Sequence, residues 1–168
     1  MISNETLRKT FITPSIRFYL HKKLAHVNPE QVDIRTEELL KFLNMSHHCS
    51  GDIPFNDEVD EIWHLWIMET QEYFALCQKI RGVPDSYIHH CSSDYMEYYN
   101  AEVKSQEPDV DRLFNILLSY VHNYGPFAAE RIIYWPLALD IQQNSHISLD
   151  EFNQWLLHVL REQSSLCA

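Results

Sequence analysis

Apolar side chains return every three or four residues along several segments of the chain, which is the spacing of one face of an α-helix. Clear examples are the stretches 110–124 and 149–159, and the second follows Ser148-x-x-Glu151, the spacing of a capping box. We find no segment with the strict alternation of apolar and polar residues that is typical of a half-buried strand. The sequence therefore predicts an all-α fold, a compact single-domain bundle over residues 1–168.

Residues that interrupt helices lie between these periodic segments. Pro29 follows an asparagine, as at many helix entries, whereas Pro136 lies inside an apolar stretch and predicts a kink or a break. The chain has three glycines, all of them between periodic segments: Gly51, Gly82 and Gly125. We predict about six to eight helices, over the approximate ranges 4–11, 14–26, 29–44, 56–81, 92–105, 108–124, 127–143 and 148–162, of which one short early segment is the least certain.

The charge of the chain limits its partners. The formal net charge is −11, which opposes binding to nucleic acid, because that requires clustered lysine and arginine. The same charge opposes adsorption to anionic lipid. No apolar run approaches the roughly 20 residues that cross a bilayer, and the first residues do not resemble a signal peptide. We therefore expect a cytoplasmic protein whose partner is a small molecule or another protein, and neither nucleic acid nor a membrane.

Residues with reactive side chains are concentrated between Asp60 and Cys91. Asp60 and His64 are four residues apart, so on a helix both project from one face. Tyr73 and Cys77 repeat that spacing further along the chain. Thr70 between the two pairs is a candidate N-cap, which predicts two helices that meet at a bend. If the two helices fold against each other, both polar pairs can face one cleft.

These residue types are the usual protein ligands of transition metals. Imidazole, carboxylate and thiolate bind zinc and non-haem iron; two histidines with one carboxylate favour iron(II), and a thiolate favours zinc. After a turn that contains Pro84, the segment Ile88-His89-His90 can bring another imidazole to the same place, and we favour His90 over His89. The predicted metal ligands are Asp60, His64, Cys77 and His90, with Tyr73 and His89 as neighbours, and zinc or iron as the ion.

Structural roles stay open for each of these residues. A His–Asp pair four residues apart is often a hydrogen-bonded helix face, and Asp60 can also orient the ring of His64 without binding a metal. Cys77 has the surroundings of a buried thiol, or it can form a nucleophilic pair with a histidine. For Tyr73 we favour a core aromatic residue with a hydrogen-bonded hydroxyl over a metal ligand. The tripeptide 47–49 repeats the His-His-Cys sequence of 89–91, which we interpret as chance rather than as a joint metal site.

The same segment resembles a known protein family. Val59-Asp60-x-x-Trp63-His64, a later Tyr73-x-x-x-Cys77 and a closing Ile88-His89-His90 are similar to the signature of the glycine-rich domain-containing protein-like family. Pro54 and the acidic pair Asp57-Glu58 before this core also fit, so the resemblance covers about 35 of the 168 residues. It implies that Asp60, His64, Tyr73, Cys77 and His90 act as one group, but it supplies no reaction. The glycine-rich tail of the plant members has no counterpart in this chain.

These observations lead to two hypotheses about function. The first is a helical metal-binding domain, with or without enzymatic activity towards a substrate that the sequence does not identify. The alternative is a metal-free helical module that binds another protein through an acidic, aromatic-rich surface. Removal of metal would destabilise the first and leave the second unchanged.

Overall fold

The computed structural model describes residues 1–46, 55–90 and 110–166. In this part of the chain all regular structure is α-helical and no strand occurs, which confirms the predicted fold class. The predicted helix over 92–105 and the tripeptide 47–49 lie outside the described residues. The described helices are α1 Asn4–Phe11, α2 Pro14–Lys23, α3 Pro29–Met45, α4 Asp57–Met68, α5 Thr70–Arg81, α6 Val110–Tyr124, α7 Ala129–Ile132, α8 Pro136–Asn144 and α9 Leu149–Leu166.

Side-chain caps determine where the first four helices begin. The side chains of Ser3, Thr13, Asn28 and Asn56 each accept a hydrogen bond from a backbone N–H in the first turn of the helix that follows. Such a bond satisfies one of the N–H groups that the helix itself leaves unpaired. Pro29 is the first residue of α3, as predicted from the sequence.

Helix α3 lies at the centre of the described structure. It contacts α1, α2, α4, α5 and α6. Every residue from Ile34 to Leu43 is buried, on all sides of the helix, charged residues included. A helix that is buried all round cannot show a single apolar stripe in its sequence. Helices α6 and α9 form a second close pair in the chain.

A bend separates α4 from α5, as the sequence predicts. Glu69 has φ −92° and ψ 68°, which interrupts the helical backbone, and its side chain makes no capping hydrogen bond. Thr70 is the first residue of α5, so its prediction as the N-cap is wrong by one position. Helix α5 ends at Arg81, and the residue that follows, Gly82, adopts a left-handed conformation with φ 65°. A residue with a Cβ atom would be strained there.

Pro136 starts a new helix, which confirms the break predicted at this position. It is the first residue of α8, and the short helix α7 ends before it. The predicted range 127–143 is therefore two helices, and α2 ends three residues earlier than expected. Within the described part of the chain, no helix combines the length and the apolar composition needed to cross a membrane.

Candidate metal centre

Helix α4 presents Asp60 and His64 on one face, at the edge of its buried side. The buried side consists of Val59, Ile62, Trp63 and Trp66, which pack into the core. His64 Nδ1 lies 3.1 Å from Asp60 Oδ2 and 3.0 Å from the backbone oxygen of Asp60. The predicted face of an aspartate and a histidine one turn apart is therefore present.

His90 reaches this face from a separate part of the chain. After Gly82 the chain turns, and residues 86–90 run without helical structure back towards α4. His90 Nε2 lies 2.8 Å from Asp60 Oδ1. The His90 ring also meets the ring of Trp63 at a centroid distance of 4.5 Å and the ring of His64 at 4.4 Å. One carboxylate thus lies between two imidazoles.

Among the described residues, Asp60, His64 and His90 form a group whose ligand atoms all lie within 4.8 Å of one another. Tetrahedral bonds of about 2.0–2.2 Å to one ion place neighbouring ligand atoms roughly 3.3–3.6 Å apart. The two Asp60–His distances, 3.1 Å to Oδ2 and 2.8 Å to Oδ1, are hydrogen-bond lengths, so the side chains would move apart by a few tenths of an ångström to hold an ion. The exposed fraction of the side chain is 8% for His90, 27% for Asp60 and 53% for His64, so the group is open to solvent on the His64 side.

Tyr73 holds the segment that carries His90. Its hydroxyl accepts a hydrogen bond from Trp63 Nε1 at 2.8 Å and donates one to the backbone oxygen of Ile88 at 2.7 Å. Burial raises the pKa of Tyr73 far above its usual range, so the hydroxyl keeps the proton that it donates to Ile88. Tyr73 is therefore a neighbour of the group, in contact with it through Trp63 and Ile88.

Cys77 is not part of the group. Its sulfur is buried and accepts the backbone N–H of Ile88 at 3.4 Å. Burial raises the pKa of the Cys77 thiol, which opposes formation of the thiolate that a metal requires. This arrangement places Cys77 beside Tyr73 as a second anchor for Ile88, and it does not place the thiol with the ligand atoms of Asp60, His64 and His90.

His89 and His90 point to opposite sides of the chain. His90 faces α4, whereas His89 is exposed and packs against the ring of Tyr87 at a centroid distance of 5.1 Å. Glu61, the residue next to Asp60 in the sequence, also carries a carboxylate, but it is exposed and does not belong to the group of Asp60, His64 and His90.

A buried cluster of charged residues around α3 was not predicted from the sequence. Glu37 and Glu38 are fully buried, and Lys41 is nearly so. Arg131 donates to both glutamates, at 2.6 Å and 2.7 Å. A signal was available: apolar residues of α3, such as Ile34, Leu39 and Phe42, do not follow a single stripe, which indicates a helix buried on all sides.

No family model, curated protein or solved structure matches the chain. The resemblance of residues 54–90 to the glycine-rich domain-containing protein-like family therefore stays a prediction.

Proposed function

We propose that this protein binds one transition-metal ion, zinc or iron(II), through Asp60, His64 and His90. The observation that carries the proposal is the convergence of three ligand atoms within 4.8 Å from two separate segments, α4 and the segment that ends at His90. Two imidazoles and a carboxylate with open positions are a ligand set of catalytic zinc and of non-haem iron(II).

The solvent-exposed side of the group determines which further ligands a bound ion could accept. Three protein ligands leave at least one coordination position for water or for a substrate atom. His64 borders solvent, so a small molecule has access to that position. A metal-dependent reaction is therefore compatible with this proposal.

Anchoring of the third ligand also supports metal binding. His90 is held by contacts that do not involve the ion: the Trp63 ring lies against its imidazole, and Tyr73 and Cys77 bind the backbone of Ile88 two residues earlier. A ligand that is already in position loses little conformational entropy on binding. The net charge of −11 further favours a cation.

Elemental analysis by inductively coupled plasma mass spectrometry tests the proposal. Protein without an affinity tag is purified without chelator, then offered zinc or, under anaerobic conditions, iron(II), and freed of excess metal by gel filtration. We expect close to one ion per chain in the parent and a loss of most of it in Asp60→Asn and His90→Ala, because each removes one of the three ligands.

His158→Ala is the matched control. His158 and Glu162 form an exposed histidine–carboxylate pair four residues apart at 3.3 Å, similar to Asp60 and His64, and among the described residues this pair belongs to no group of three metal-ligating side chains. Circular dichroism verifies that each variant is folded. Equal metal content in His90→Ala, His158→Ala and the parent would refute the proposal, as would the absence of bound metal in the parent. In that case Asp60 and His90 form only a structural hydrogen bond.

A further inference from the structure

A groove of about 700 Å³ lies where α1 meets α2, away from the proposed metal centre. Four of its lining residues carry basic side chains, and none of its lining residues is acidic. These basic residues are Arg8, Lys9, Arg17 and His21. Its other walls include Ile12 and Phe18, so the groove combines positive charge with apolar surface.

This local charge opposes the charge of the whole chain. The formal net charge is −11, with 24 acidic and 13 basic residues. Residues 1–27, however, contain five lysines and arginines and one acidic residue, Glu5. The side chains that line the groove are therefore basic on a protein that is acidic overall, which favours negatively charged partners there.

Carboxylates of α3 hold the basic side chains of the groove in place. Asp33 on α3 accepts hydrogen bonds from Arg17 Nε at 3.2 Å and Arg17 Nη2 at 2.5 Å, and it lies 2.8 Å from His21 Nε2. The buried Glu37 pairs with Arg8 Nη1. Lys9 Nζ pairs with Glu5 at 2.6 Å, but both side chains are exposed, and such a surface ion pair is weak enough for a partner's carboxylate to replace it. The bonds to Asp33 and Glu37 leave other guanidinium N–H groups of Arg8 and Arg17 for a partner. Because these side chains are already ordered, binding of a partner costs less side-chain conformational entropy.

Phe18 supplies an apolar contact at the same place. Its side chain lines the groove and is 69% exposed, with Lys22 Nζ 6.0 Å from the centre of its ring. Exposed aromatic residues next to positive charge are typical anchors of protein interfaces. With so much of Phe18 exposed, the groove does not enclose a small ligand, and an extended peptide fits it better.

We propose that the groove between α1 and α2 is a docking surface for an acidic segment of a partner protein, with its carboxylates on Arg8, Lys9 and Arg17 and an apolar side chain against Phe18. The proposal does not depend on the metal centre. An anionic membrane is less well matched to this surface, because the rest of the protein would be repelled by it.

Selection from a random peptide library displayed on phage tests the proposal. Parent protein is the target, and a Lys9→Glu, Phe18→Ala double variant is used for counter-selection. Both side chains are largely exposed, so the variant is expected to fold. We expect enrichment of peptides that combine aspartate or glutamate with a large apolar residue. Chelator is present throughout, so the result is independent of metal binding.

Fluorescence anisotropy with one enriched peptide then measures the contribution of each residue. We expect binding to weaken about tenfold in Lys9→Glu and in Phe18→Ala, and to weaken further as salt is added. Arg161→Glu is the control, since it makes the same type of charge change at an exposed position of α9. Its affinity should stay within about twofold of the parent.

Three results would overturn the proposal. One is the absence of acidic residues among the enriched peptides. Another is equal weakening by Arg161→Glu and Lys9→Glu, which would show attraction by overall charge alone. The last is binding of phosphatidylserine vesicles that depends on Phe18 in the absence of peptide binding, which would assign the groove to a lipid surface.

Discussion

At the scale of single residues, the hydroxyl of Tyr73 joins the two segments of the chain that carry the candidate metal ligands. It joins Trp63 on α4 to the backbone of Ile88, with both bonds buried. Ile88 in turn donates its N–H to Cys77, and His90 follows two residues later. The position of His90 therefore depends on a tyrosine that does not touch it.

Removal of this hydroxyl tests that dependence. In Tyr73→Phe, the Trp63 N–H and the Ile88 carbonyl lose their partner while still buried, and we expect about 2 kcal/mol less free energy of unfolding. Affinity for the metal should fall about tenfold, since outer residues that orient a ligand have effects of that size. Urea denaturation and metal titration in a competing chelator measure the two effects.

Tyr87→Phe is the control for this substitution. Tyr87 packs against Tyr73 at a centroid distance of 5.3 Å, but its side chain is 41% exposed. We expect a change of less than about 0.5 kcal/mol there. If Tyr73→Phe were no more damaging than Tyr87→Phe, the hydroxyl would not position His90.

At the scale of elements, α3 organises the helices around buried charge. Glu38 accepts hydrogen bonds from Lys41 of the same helix, from Tyr120 of α6, and from Arg131 and Trp135 in and just after α7. Burial lowers the pKa of Lys41 despite the attraction of Glu38, and burial together with Glu38 raises the pKa of Tyr124 to about 12. Glu38 is therefore the shared counter-charge of Lys41 and Arg131 in this cluster.

Neutralising one member should destabilise the whole arrangement. In Glu38→Gln, Lys41 and Arg131 lose a buried counter-charge, and we expect the free energy of unfolding to fall by about 3 kcal/mol. Glu130→Gln is the control, because Glu130 faces the same arginine from a largely exposed position, 3.8 Å from its Nε. There we expect less than about 0.5 kcal/mol. Similar urea midpoints for the two variants would show that the buried cluster is not important for stability.

The start of α9 allows a prediction about pH. The Ser148 N–H and hydroxyl both bond Glu151 Oε2, at 2.8 Å and 2.7 Å, and Glu151 N–H donates to Ser148 Oγ at 3.2 Å, which confirms the predicted capping box. The bonds from Ser148 lower the pKa of Glu151. The stabilisation is therefore present above the ordinary pKa of glutamate and is lost as pH falls through the lowered value.

Titration of the Glu151 carboxyl by NMR measures this effect. We expect the pKa of Glu151 to be lower in the parent than in Ser148→Ala, because the variant loses the hydroxyl bond. Asp150→Asn, on the same exposed first turn, serves as the control for general charge effects. A pKa that is the same in the parent and in Ser148→Ala would contradict the role given to Ser148.

At the scale of the whole molecule, the candidate metal centre joins parts that are distant in the sequence. Asp60 and His64 belong to α4, which packs on the central α3, and His90 closes the segment after α5. A bound ion would tie this segment to α4 in addition to the contacts of Ile88. Binding to the folded state alone adds about 2.7 kcal/mol at a free ligand concentration of 100 times Kd.

Hydrogen exchange with mass spectrometry can detect this effect. We expect metal to slow exchange in residues 82–90 and to raise the melting temperature of the parent, with neither change in His90→Ala, because that variant has lost the ligand that connects the segment to the ion. Exchange in α9, remote in sequence from the site, should not change. Equal slowing in the parent and in His90→Ala would mean that metal acts elsewhere on the protein.

The sequence alone determined the fold class, most helix boundaries and one side of the candidate site. Helical periodicity, caps and breakers act over a few residues, so Asn28, Pro136 and the Ser148–Glu151 box were readable directly. The Asp60–His64 pair was readable for the same reason, since residues four apart share a helix face. The preference for His90 over His89 agrees with the geometry, although no local rule required it.

Only the tertiary structure decided which distant groups meet. It separated Cys77 from the ligand atoms, because Cys77 and Tyr73 project from α5 towards Ile88, while His90 projects from the segment beyond towards Asp60. It also revealed Glu37 and Glu38 as buried charges and the basic groove between α1 and α2. These outcomes depend on the angles at which whole helices pack, and those angles follow from contacts between residues far apart in the sequence.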